Sequence, residues 1–421
     1  MDKAGIPVDM ILRHLAEQAD AHQERIGKAA DVLLGDLDTE IASTPYEVVY
    51  EEDRIRLKHY PPSASVPDPV KTPLLVVYAL INRETMLDLQ PERSVVKKFL
   101  SSGINLYMLD WGYPTYKDRF LTIDDHVNGY LDNVVDFILK RERIGKINLM
   151  GICMGGTFCV IYSALHPGKI RNLVTTVSPT NFDTRQGLLH IWMKWLDVDK
   201  MIETFGNMPG DLMNFGFLLL NPARLMIDKY VGFFQNMDNK AFVENFIRME
   251  KWIFDSPDVP GETFRQFIKD LYQNNLLIEN RLHIGGRHVD LRRITMPMLN
   301  IYARFDHLVP PEAAEKITGV TGSADTENVC LETGHIGIYV SSKTQKEFAP
   351  KIIGWLKERD GRSEQRTRAG PGKAASRRVK PEPPVVHASY RVKKGGETSH
   401  DERKGLFFDN LRSKQGIRDD R

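Results

Sequence analysis

Two hydrophobic spacings alternate along the central part of the chain, and together they predict a layered α/β fold. Short apolar runs rich in β-branched residues are typical of strands buried on both faces. Between them lie segments with helical spacing, and strands that alternate with helices form βαβ units in a doubly wound, mostly parallel sheet. The predicted strands are 47–50, 55–60, 74–80, 105–110, 147–150, 173–177, 298–303 and 329–331. The predicted helices are 94–101, 124–141, 157–165 and 343–359.

The alternation stops between about Asn181 and Val289. This segment holds seven of the 15 methionines, is rich in Trp and Phe, contains Pro-Gly at 209–210 and 260–261, and shows no clear strand. We interpret it as a mostly helical insertion at about 181–289. Ordinary core packing explains its Met and aromatic stripes, but a flexible apolar cap or lid over the sheet is the alternative, because Met tolerates variable contacts.

The two ends differ from the body, which we place at 41–360. Residues 1–40 have amphipathic helical spacing, which fits packing on the same domain and contact with a partner about equally well. Residues 361–421 carry 16 Lys/Arg and 8 Asp/Glu, a net charge of +8, although the whole chain is only at +1. This basic tail has too few apolar residues to fold alone and is expected to be disordered. A solvated tail and a polyanion contact both remain open, but no nucleic-acid module is visible and nucleic acid is not an expected partner.

Composition and cysteine content indicate a protein of the cytoplasm. The chain has no signal-peptide pattern and no apolar run of the roughly 18 residues that a membrane span requires. Its three cysteines, at 153, 159 and 330, form neither a disulfide framework nor a pair with metal-ligand spacing. We therefore expect a reducing compartment, no transmembrane segment and no metal site.

The motif Gly151-Ile152-Cys153-Met154-Gly155 stands between a predicted strand and a predicted helix. In that context G-x-nucleophile-x-G is the elbow of an α/β-hydrolase fold, whose tight turn lifts the nucleophile above the sheet. An elbow also lies at a helix N-terminus, which favours an anion. Cys153 is therefore the expected nucleophile, whereas Cys159, inside the helix, is expected to be unreactive.

An acid and a base follow the elbow in the order that this fold uses. Asp306 follows the strand 298–303, and His335 follows the strand that ends near Leu331. His335 would take the proton from Cys153, and Asp306 would hold the imidazole in the correct tautomer. No other histidine has a comparable placement.

The oxyanion that forms during acyl transfer requires two N–H donors. One is expected from Met154, directly after the nucleophile, and the other from Ile81, in the loop after the strand 74–80. Asn82 and His307, the neighbours of Ile81 and Asp306, are candidate substrate-binding residues. An acyl-cysteine is a thioester that stays activated toward an alcohol, so a thioester donor and a hydroxyl acceptor form a natural pair.

At this point the chain resembles the polyhydroxyalkanoate synthases. The resemblance covers roughly residues 40 to 358 and is carried by four motifs and by the loops of Asp306 and His335. The motifs are Tyr78-Ala79-Leu80-Ile81-Asn82-Arg83, Met86-Leu87-Asp88-Leu89-Gln90-Pro91, Leu109-Asp110-Trp111-Gly112-Tyr113-Pro114 and Gly151-Ile152-Cys153-Met154-Gly155-Gly156. It implies a cytoplasmic acyltransferase that polymerises (R)-3-hydroxyacyl-CoA, such as 3-hydroxybutyryl-CoA, into polyester. Cys153 is then the acyl carrier, His335 the base, and Asp306 the group that assists the histidine or the incoming hydroxyl.

The short body and the elbow sequence resemble the class III synthases, and the class IV synthases are the type most easily confused with them. The resemblance implies a second, non-catalytic subunit, PhaE-like in class III or PhaR-like in class IV, an active homodimer and association with polyester granules. It implies no cofactor, because coenzyme A leaves as a product. The basic tail departs from the usual class III body.

Two alternatives from other classes stay open at this stage. A cysteine-triad hydrolase of the dienelactone or thioesterase type shares the fold and the order of the triad, but it would release acid without polymer. An inactive granule-binding scaffold would keep the fold alone. Acylation of Cys153 by a labelled substrate distinguishes the scaffold from both enzymes.

Overall fold

An eight-stranded, mostly parallel sheet organises the protein. The computed structural model describes residues 27–368 except 64 and 68, with backbone only for 224, 226 and 361–368. The strand order is β1-β2-β4-β3-β5-β6-β9-β10. Strand β2 runs antiparallel to both of its neighbours, β1 and β4, and the strands from β4 to β10 in this order run parallel to one another. The strands are β1 Glu47–Glu52, β2 Ile55–Tyr60, β3 Val70–Val77, β4 Ile104–Asp110, β5 Ile147–Ile152, β6 Ile170–Thr176, β9 Met298–Ala303 and β10 Thr326–Leu331. The predicted α/β class and the mostly parallel sheet are confirmed.

Within the described residues the helices lie between the strands, in the 181–289 insertion, before β1 and after β10. The α-helices are α1 27–34, α2 Val95–Ser101, α3 Asp132–Glu142, α4 Met154–Leu165, α5 Leu188–Trp195, α6 Val198–Phe205, α7 Gly210–Leu219, α8 Lys229–Gln235, α9 Lys240–Phe254, α10 Gly261–Gln266, α11 Pro311–Ala314, α12 Gly337–Val340 and α13 Phe348–Arg368. The π-helical segments are Asp125–Leu131, Ala223–Asp228 and Phe267–Gln273. The 3-10 helices are Glu84–Asp88, Pro91–Arg93, Tyr116–Phe120, Pro167–Lys169, Leu291–Arg293, Glu315–Gly319 and Thr344–Lys346.

Right-handed crossovers place helices on both faces of this sheet. The connection β3–α2–β4 moves toward β1, whereas β5–α4–β6 moves toward β10. Because right-handed connections that run in opposite directions lie on opposite faces, α2 and α4 cover different sides. The direction reverses between β3 and β5, so a crevice forms where their carboxyl ends diverge. The predicted elbow and the predicted oxyanion loop follow these two strands.

Several expected element boundaries differ from the structure. The strand expected at 74–80 is β3, Val70–Val77, and Tyr78 to Leu80 have left the strand although they are buried. Because the loop after β3 is itself buried, these residues are apolar like those of the strand, and the sequence pattern therefore extended the predicted strand beyond its end. The helix expected at 124–141 begins as the π-helical segment 125–131. The closing helix α13 extends to Arg368 rather than ending at 359.

The insertion contains one feature that the sequence pattern did not predict. A short hairpin joins β7, His283–Ile284, to β8, Arg287–His288, where no strand was expected. Gly285 and Gly286 adopt φ of 55° and 73°, and two left-handed residues in succession form the tight turn of a hairpin. The strands are too short for their hydrophobic spacing to show.

The N-terminal segment and the tail are described only in part. Residues 1–26 and 369–421 lie outside the described residues, so the predictions made for them stay predictions. Past α1, the stretch at Asp38–Glu40 contacts helix α9: Arg248 pairs with the Asp38 carboxylate at 2.7 Å and donates to the Glu40 carbonyl at 3.0 Å. In the part of the chain that the structure describes, no helix combines the length and hydropathy required to cross a bilayer.

Candidate active site

Cys153 occupies a sharp turn between β5 and α4. Its backbone adopts φ 52° and ψ −126°, a conformation that non-glycine residues rarely take and that is typical of strained functional turns. Its N–H donates to the Thr176 carbonyl of the neighbouring strand β6 at 3.0 Å, which anchors the turn to the sheet. The side chain is half-buried and packs against the small apolar cluster of Val309, Ala313 and Ala314. The thiol therefore lies at the carboxyl edge of the sheet, next to the loop that follows β9.

The glycines of the elbow allow helix α4 to approach the sheet closely. A methyl group on Gly155 would collide with the carbonyl oxygens of Val77 and Tyr78, at the end of β3. One on Gly156 would overlap the Ser178 hydroxyl, and one on Gly151 would meet the backbone of Gly156. The motif thus requires glycine at these positions because backbone passes backbone there without room for Cβ.

The structure brings His335 and Asp306 together in the loops that follow β10 and β9. The Nδ1 atom of His335 donates to Oδ2 of Asp306 at 2.6 Å, and both residues are buried. Oδ1 of the carboxylate accepts from the N–H groups of Leu308 and Val309, each at 2.9 Å. These three donors fix the carboxylate and the ring, and they leave Nε2 of His335 for an interaction with the nucleophile.

Electrostatics at this pair favour a protonated imidazole. Burial lowers the pKa of His335, but the Asp306 charge outweighs it, and a Coulombic interaction and a hydrogen bond with Cys153 add to the rise, so that the pKa reaches about 10. The ring therefore interacts with Asp306 on one side and with Cys153 on the other. A base flanked by a nucleophile and an orienting carboxylate is the arrangement that nucleophilic catalysis requires.

The other two cysteines have surroundings that suppress reactivity. Cys159 is fully buried within α4, and burial raises the pKa of its thiol well above the usual value. Burial also raises the pKa of Cys330, on β10. Since the thiolate is the reactive form, neither residue competes with Cys153 as a nucleophile.

The expected oxyanion donors border the crevice between β3 and β5. Met154 is the first residue of α4, and a first-turn N–H has no intrahelical acceptor, whereas the N–H groups of Gly156 and Thr157 donate to the Cys153 carbonyl. Ile81 lies four residues beyond the end of β3, and β3 is the strand that pairs with β5. These positions are compatible with the predicted roles, which stay predictions.

The two candidate substrate-binding residues have different surroundings. Asn82 adopts φ 59°, and its side-chain carbonyl accepts from the Ser256 hydroxyl just after α9, so this side chain ties the oxyanion loop to the insertion. His307 is half-buried beside Asp306. A substrate contact by either residue remains a prediction.

A cluster of buried charged residues stabilises the loop after β3, and no sequence pattern predicted this cluster. Lys58 of β2 pairs with Glu84 at 2.5 Å and with Asp110 at 3.0 Å, and Arg83 pairs with Asp110 at 2.9 Å. Burial opposes the charge on Lys58, but the two carboxylates outweigh it and raise its pKa. The Arg83 carbonyl also accepts from the Trp252 indole of α9 at 2.8 Å. Charge pairs and the insertion thus hold residues 82–84 in place.

Three buried aromatic side chains that the sequence analysis did not identify lie near the thiol. Tyr78, Tyr272 and Tyr339 are buried, and each lies within electrostatic range of Cys153. For all three, burial raises the phenol pKa above its usual value, so the rings are uncharged. They therefore add no charge to the surroundings of the thiol. In the sequence, only the aromatic and apolar composition of three separate segments pointed to these tyrosines.

Comparison with known proteins agrees with this geometry. A family model for the alpha/beta hydrolase fold matches residues 72–341, and a model for the poly-beta-hydroxybutyrate polymerase (PhaC) N-terminus matches residues 8–99. Over 353 residues the chain is 46% identical to poly(3-hydroxyalkanoate) polymerase subunit PhaC of Allochromatium vinosum, covering 84% of this chain and 99% of that protein. The chain belongs to the poly(3-hydroxyalkanoate) polymerase family.

Other members of this polymerase family show the same breadth of similarity. The subunit PhaC of Thiocystis violacea is 44% identical over 353 residues, covering 84% of this chain and 99% of that protein. Among solved structures, a monoacylglycerol lipase of Paleococcus ferrophilus is similar over 73% of this chain and 100% of its own, with 14% identity and a TM-score of 0.48. The predicted α/β-hydrolase fold and the predicted family are therefore confirmed, by the family model and by the curated relatives.

Proposed function

We propose that this poly(3-hydroxyalkanoate) polymerase joins (R)-3-hydroxyacyl-CoA units through acyl intermediates on Cys153, with 3-hydroxybutyryl-CoA as the expected monomer. The observation that carries the proposal is the contiguous Cys153–His335–Asp306 arrangement at the carboxyl edge of the sheet, with its 2.6 Å carboxylate–imidazole hydrogen bond. Family membership supplies the reaction, and this geometry supports the assignment of roles.

The first step transfers an acyl group from coenzyme A to the enzyme. The Cys153 thiolate attacks the thioester carbonyl, and the resulting oxyanion accepts hydrogen bonds from the N–H groups of Met154 and Ile81. The bond between the carbonyl carbon and the CoA sulfur then breaks, and the CoA thiolate takes a proton from the His335 imidazolium. The products are free CoA, an acyl-cysteine and a neutral imidazole.

The second step extends the polyester. The neutral His335 accepts the proton of a 3-hydroxyl group as its oxygen attacks the acyl-cysteine, and the ester bond forms as the bond to Cys153 breaks. Cys153 leaves as a thiolate and His335 is again an imidazolium, so both residues return to their starting charge states. Asp306 holds the ring throughout, because its Oδ2 accepts from Nδ1 and leaves Nε2 free to move the proton.

Elongation requires that water stay away from the acyl-cysteine, since hydrolysis would end the chain. Three buried tyrosines, Tyr78, Tyr272 and Tyr339, lie within electrostatic range of the thiol, and Phe182 of the insertion is buried beside Tyr272. Tyr272 and Phe182 pack edge to face, with ring centroids 4.8 Å apart. We propose that the insertion is a cap that excludes water and that opens to admit substrate.

The decisive experiment follows CoA release and insoluble polyester together from 3-hydroxybutyryl-CoA. Full-length wild-type protein is compared with Cys153→Ala, Cys153→Ser and the matched control Cys159→Ala, each with and without the second subunit. We expect both products in the wild type and in the control, and neither in Cys153→Ala. CoA release without polymer, with the second subunit present, would refute the polymerase mechanism and favour the cysteine hydrolase. No labelling of Cys153 would favour the inactive scaffold.

The insertion also presents apolar stripes to solvent. On α5 the exposed apolar residues recur at 188, 191, 192 and 195, which is one helical face, and Trp195 is 84% exposed. Positions 212, 215 and 219 form a similar stripe on α7, and 227, 230, 231 and 234 form another along α8 and the turn before it. Exposed apolar surface of this extent is typical of an interaction site.

We propose that these stripes contact a second copy of the chain in the expected active homodimer. The class III assignment, the PhaE-like second subunit, or PhaR-like in class IV, and the association with polyester granules in the cytoplasm are further proposals that rest on family membership. Sedimentation of wild-type protein and of Trp195→Glu tests the dimer directly. Equal self-association of both proteins would contradict it.

A further inference from the structure

A buried histidine of the insertion lies near the catalytic pair but takes no part in the mechanism above. His190 belongs to α5, whose apolar stripe faces solvent, and its own side chain turns inward and is only 2% exposed. Neither Nδ1 nor Nε2 has a hydrogen-bond partner among the described residues. Buried polar atoms are almost always paired, so two orphaned nitrogens on one ring require an explanation.

The surroundings of His190 are buried aromatic rings of the insertion and the loop that follows β9. Its ring lies 5.2 Å from the Tyr272 ring and 6.4 Å from the Phe182 ring, measured between centroids. A methyl group built on Gly187 would lie 3.5 Å from both Nδ1 of His190 and Pro310, four residues after Asp306. The ring is thus next to the loop that carries the catalytic carboxylate.

The protonation state of this histidine follows from burial. Burial lowers the pKa of His190 to about 4, against the opposing charge of Asp306. The ring is therefore neutral at physiological pH and offers one N–H donor and one lone-pair acceptor. His335 is the opposite case, because its direct hydrogen bond to Asp306 keeps it protonated.

A neutral imidazole matches the chemistry that distinguishes the substrate from an ordinary acyl group. A hydroxyl group both donates and accepts a hydrogen bond, and an ester carbonyl accepts one, so a 3-hydroxyacyl unit can satisfy both ring nitrogens. An acyl chain without the hydroxyl would leave at least one of them unpaired. Sites built to pair a substrate hydroxyl reject the analogue that lacks it.

We propose that His190 hydrogen-bonds the 3-hydroxyl group of an acyl unit in the active site and selects 3-hydroxyacyl over unsubstituted acyl thioesters. This role rests on the proposed function of Cys153 as acyl carrier. His190 binds and positions the hydroxylated unit, while proton transfer stays with His335. The two ring nitrogens of His190, which have no hydrogen-bond partner among the described residues, then form hydrogen bonds with the substrate.

The test compares two acyl thioesters in single-turnover acylation of the full-length protein. (R)-3-Hydroxybutyryl-CoA and butyryl-CoA both acylate Cys153 and release one equivalent of CoA, but only the first carries the hydroxyl. The variants are His190→Phe, which keeps a buried ring without nitrogens, and His190→Gln, which keeps a donor and an acceptor. His283→Phe is the matched control, since it makes the same substitution at an exposed histidine, in β7.

In His190→Phe we expect the preference for the hydroxylated substrate to fall about 10-fold or more, while acylation by butyryl-CoA stays within about twofold. His190→Gln should retain part of the preference, and His283→Phe all of it. The melting temperature of His190→Phe should equal or exceed that of the wild type, because carbon replaces two unpaired buried nitrogens.

An unchanged preference in His190→Phe would overturn the inference. A lowered melting temperature with equal losses for both substrates would do the same, because it would indicate a purely structural role. If His190→Phe does not fold, the retained preference of His190→Gln relative to His190→Ala decides. Absence of Cys153 acylation in the wild type would instead refute the proposed function itself.

Discussion

Asp306→Asn probes the catalytic pair most directly, because the change keeps the shape of the side chain and removes its charge. In the wild type, one carboxylate oxygen accepts from two backbone N–H groups, those of Leu308 and Val309, and the other accepts from Nδ1 of His335. An asparagine that keeps its carbonyl on the two N–H groups must point its NH2 group at Nδ1. His335 would then take the tautomer with the proton on Nε2, which cannot accept a proton from Cys153 or from a hydroxyl group.

The expected loss of activity is large. The corresponding change in a serine-protease triad lowers kcat by about 10⁴ through the same tautomer effect, and we expect a loss of the order of 10³ to 10⁴ here. The assay is the initial rate of CoA release from 3-hydroxybutyryl-CoA, with polymer measured in parallel. Asp136→Asn is the matched control, since Asp136 is a surface residue paired with Lys169.

Stability should change with pH in a defined direction. The pKa of His335 is about 10 in the folded protein against an ordinary value of 6.5, and a difference of this size corresponds to roughly 5 kcal/mol as an upper limit, because Cys153 contributes part of it. Since the folded pKa is the higher one, the stabilisation is fully present below about pH 6.5 and is lost as pH rises through about 10. Asp306→Asn should therefore unfold more easily than the wild type, by about 3 kcal/mol at pH 6. The deficit should shrink toward pH 10.

Two results would refute this reasoning. The first is an Asp306→Asn variant that keeps activity within tenfold of the wild type, since orientation of His335 would then not depend on the carboxylate. The second is a stability deficit that stays constant or grows between pH 6 and pH 10, measured by urea unfolding. Either outcome would mean that the imidazolium–carboxylate pair does not form as described.

The remaining predictions concern the thiol, the elbow glycines and the exposed surface. Cys153→Ala should abolish covalent labelling by acyl-CoA, whereas Cys159→Ala should keep it, as mass spectrometry of the intact protein will show. Gly155→Ala should destabilise the fold by about 1–3 kcal/mol or more and abolish activity, because its methyl group would meet backbone carbonyls at the end of β3. Gly129→Ala, where a methyl group meets nothing within 4 Å, should leave thermal unfolding unchanged or raise its midpoint. Trp195→Glu should weaken self-association in sedimentation experiments and change the free energy of unfolding by no more than about 0.5 kcal/mol, as expected for an exposed site.

The elbow and the order of the triad residues could be predicted because they depend on local chemistry. A glycine-flanked nucleophile between a strand and a helix has a distinctive sequence, and loops that follow parallel strands meet at one edge of the sheet. The proximity of Asp306 and His335 therefore followed from their positions after β9 and β10. The hydrophobic spacing likewise located the principal strands, although it extended β3 into a buried loop.

Other features depend on contacts that the order of residues does not reveal. The β7–β8 hairpin is too short to show a hydrophobic period, and the Lys58–Glu84–Asp110 cluster joins residues from separate strands and loops. His190 lies in a helix whose outward face is apolar, so spacing alone could not show which face is buried or that its ring nitrogens have no partners among the described residues.

The sequence by itself determined the α/β class and the family, because these follow from short motifs and regular spacing, and it predicted Cys153 as the nucleophile. Only the tertiary structure showed that His335 interacts with both Asp306 and Cys153, and that the insertion brings His190 and Tyr272 near Asp306. The physical reason is that burial and Coulombic interaction depend on distances between segments far apart in the chain.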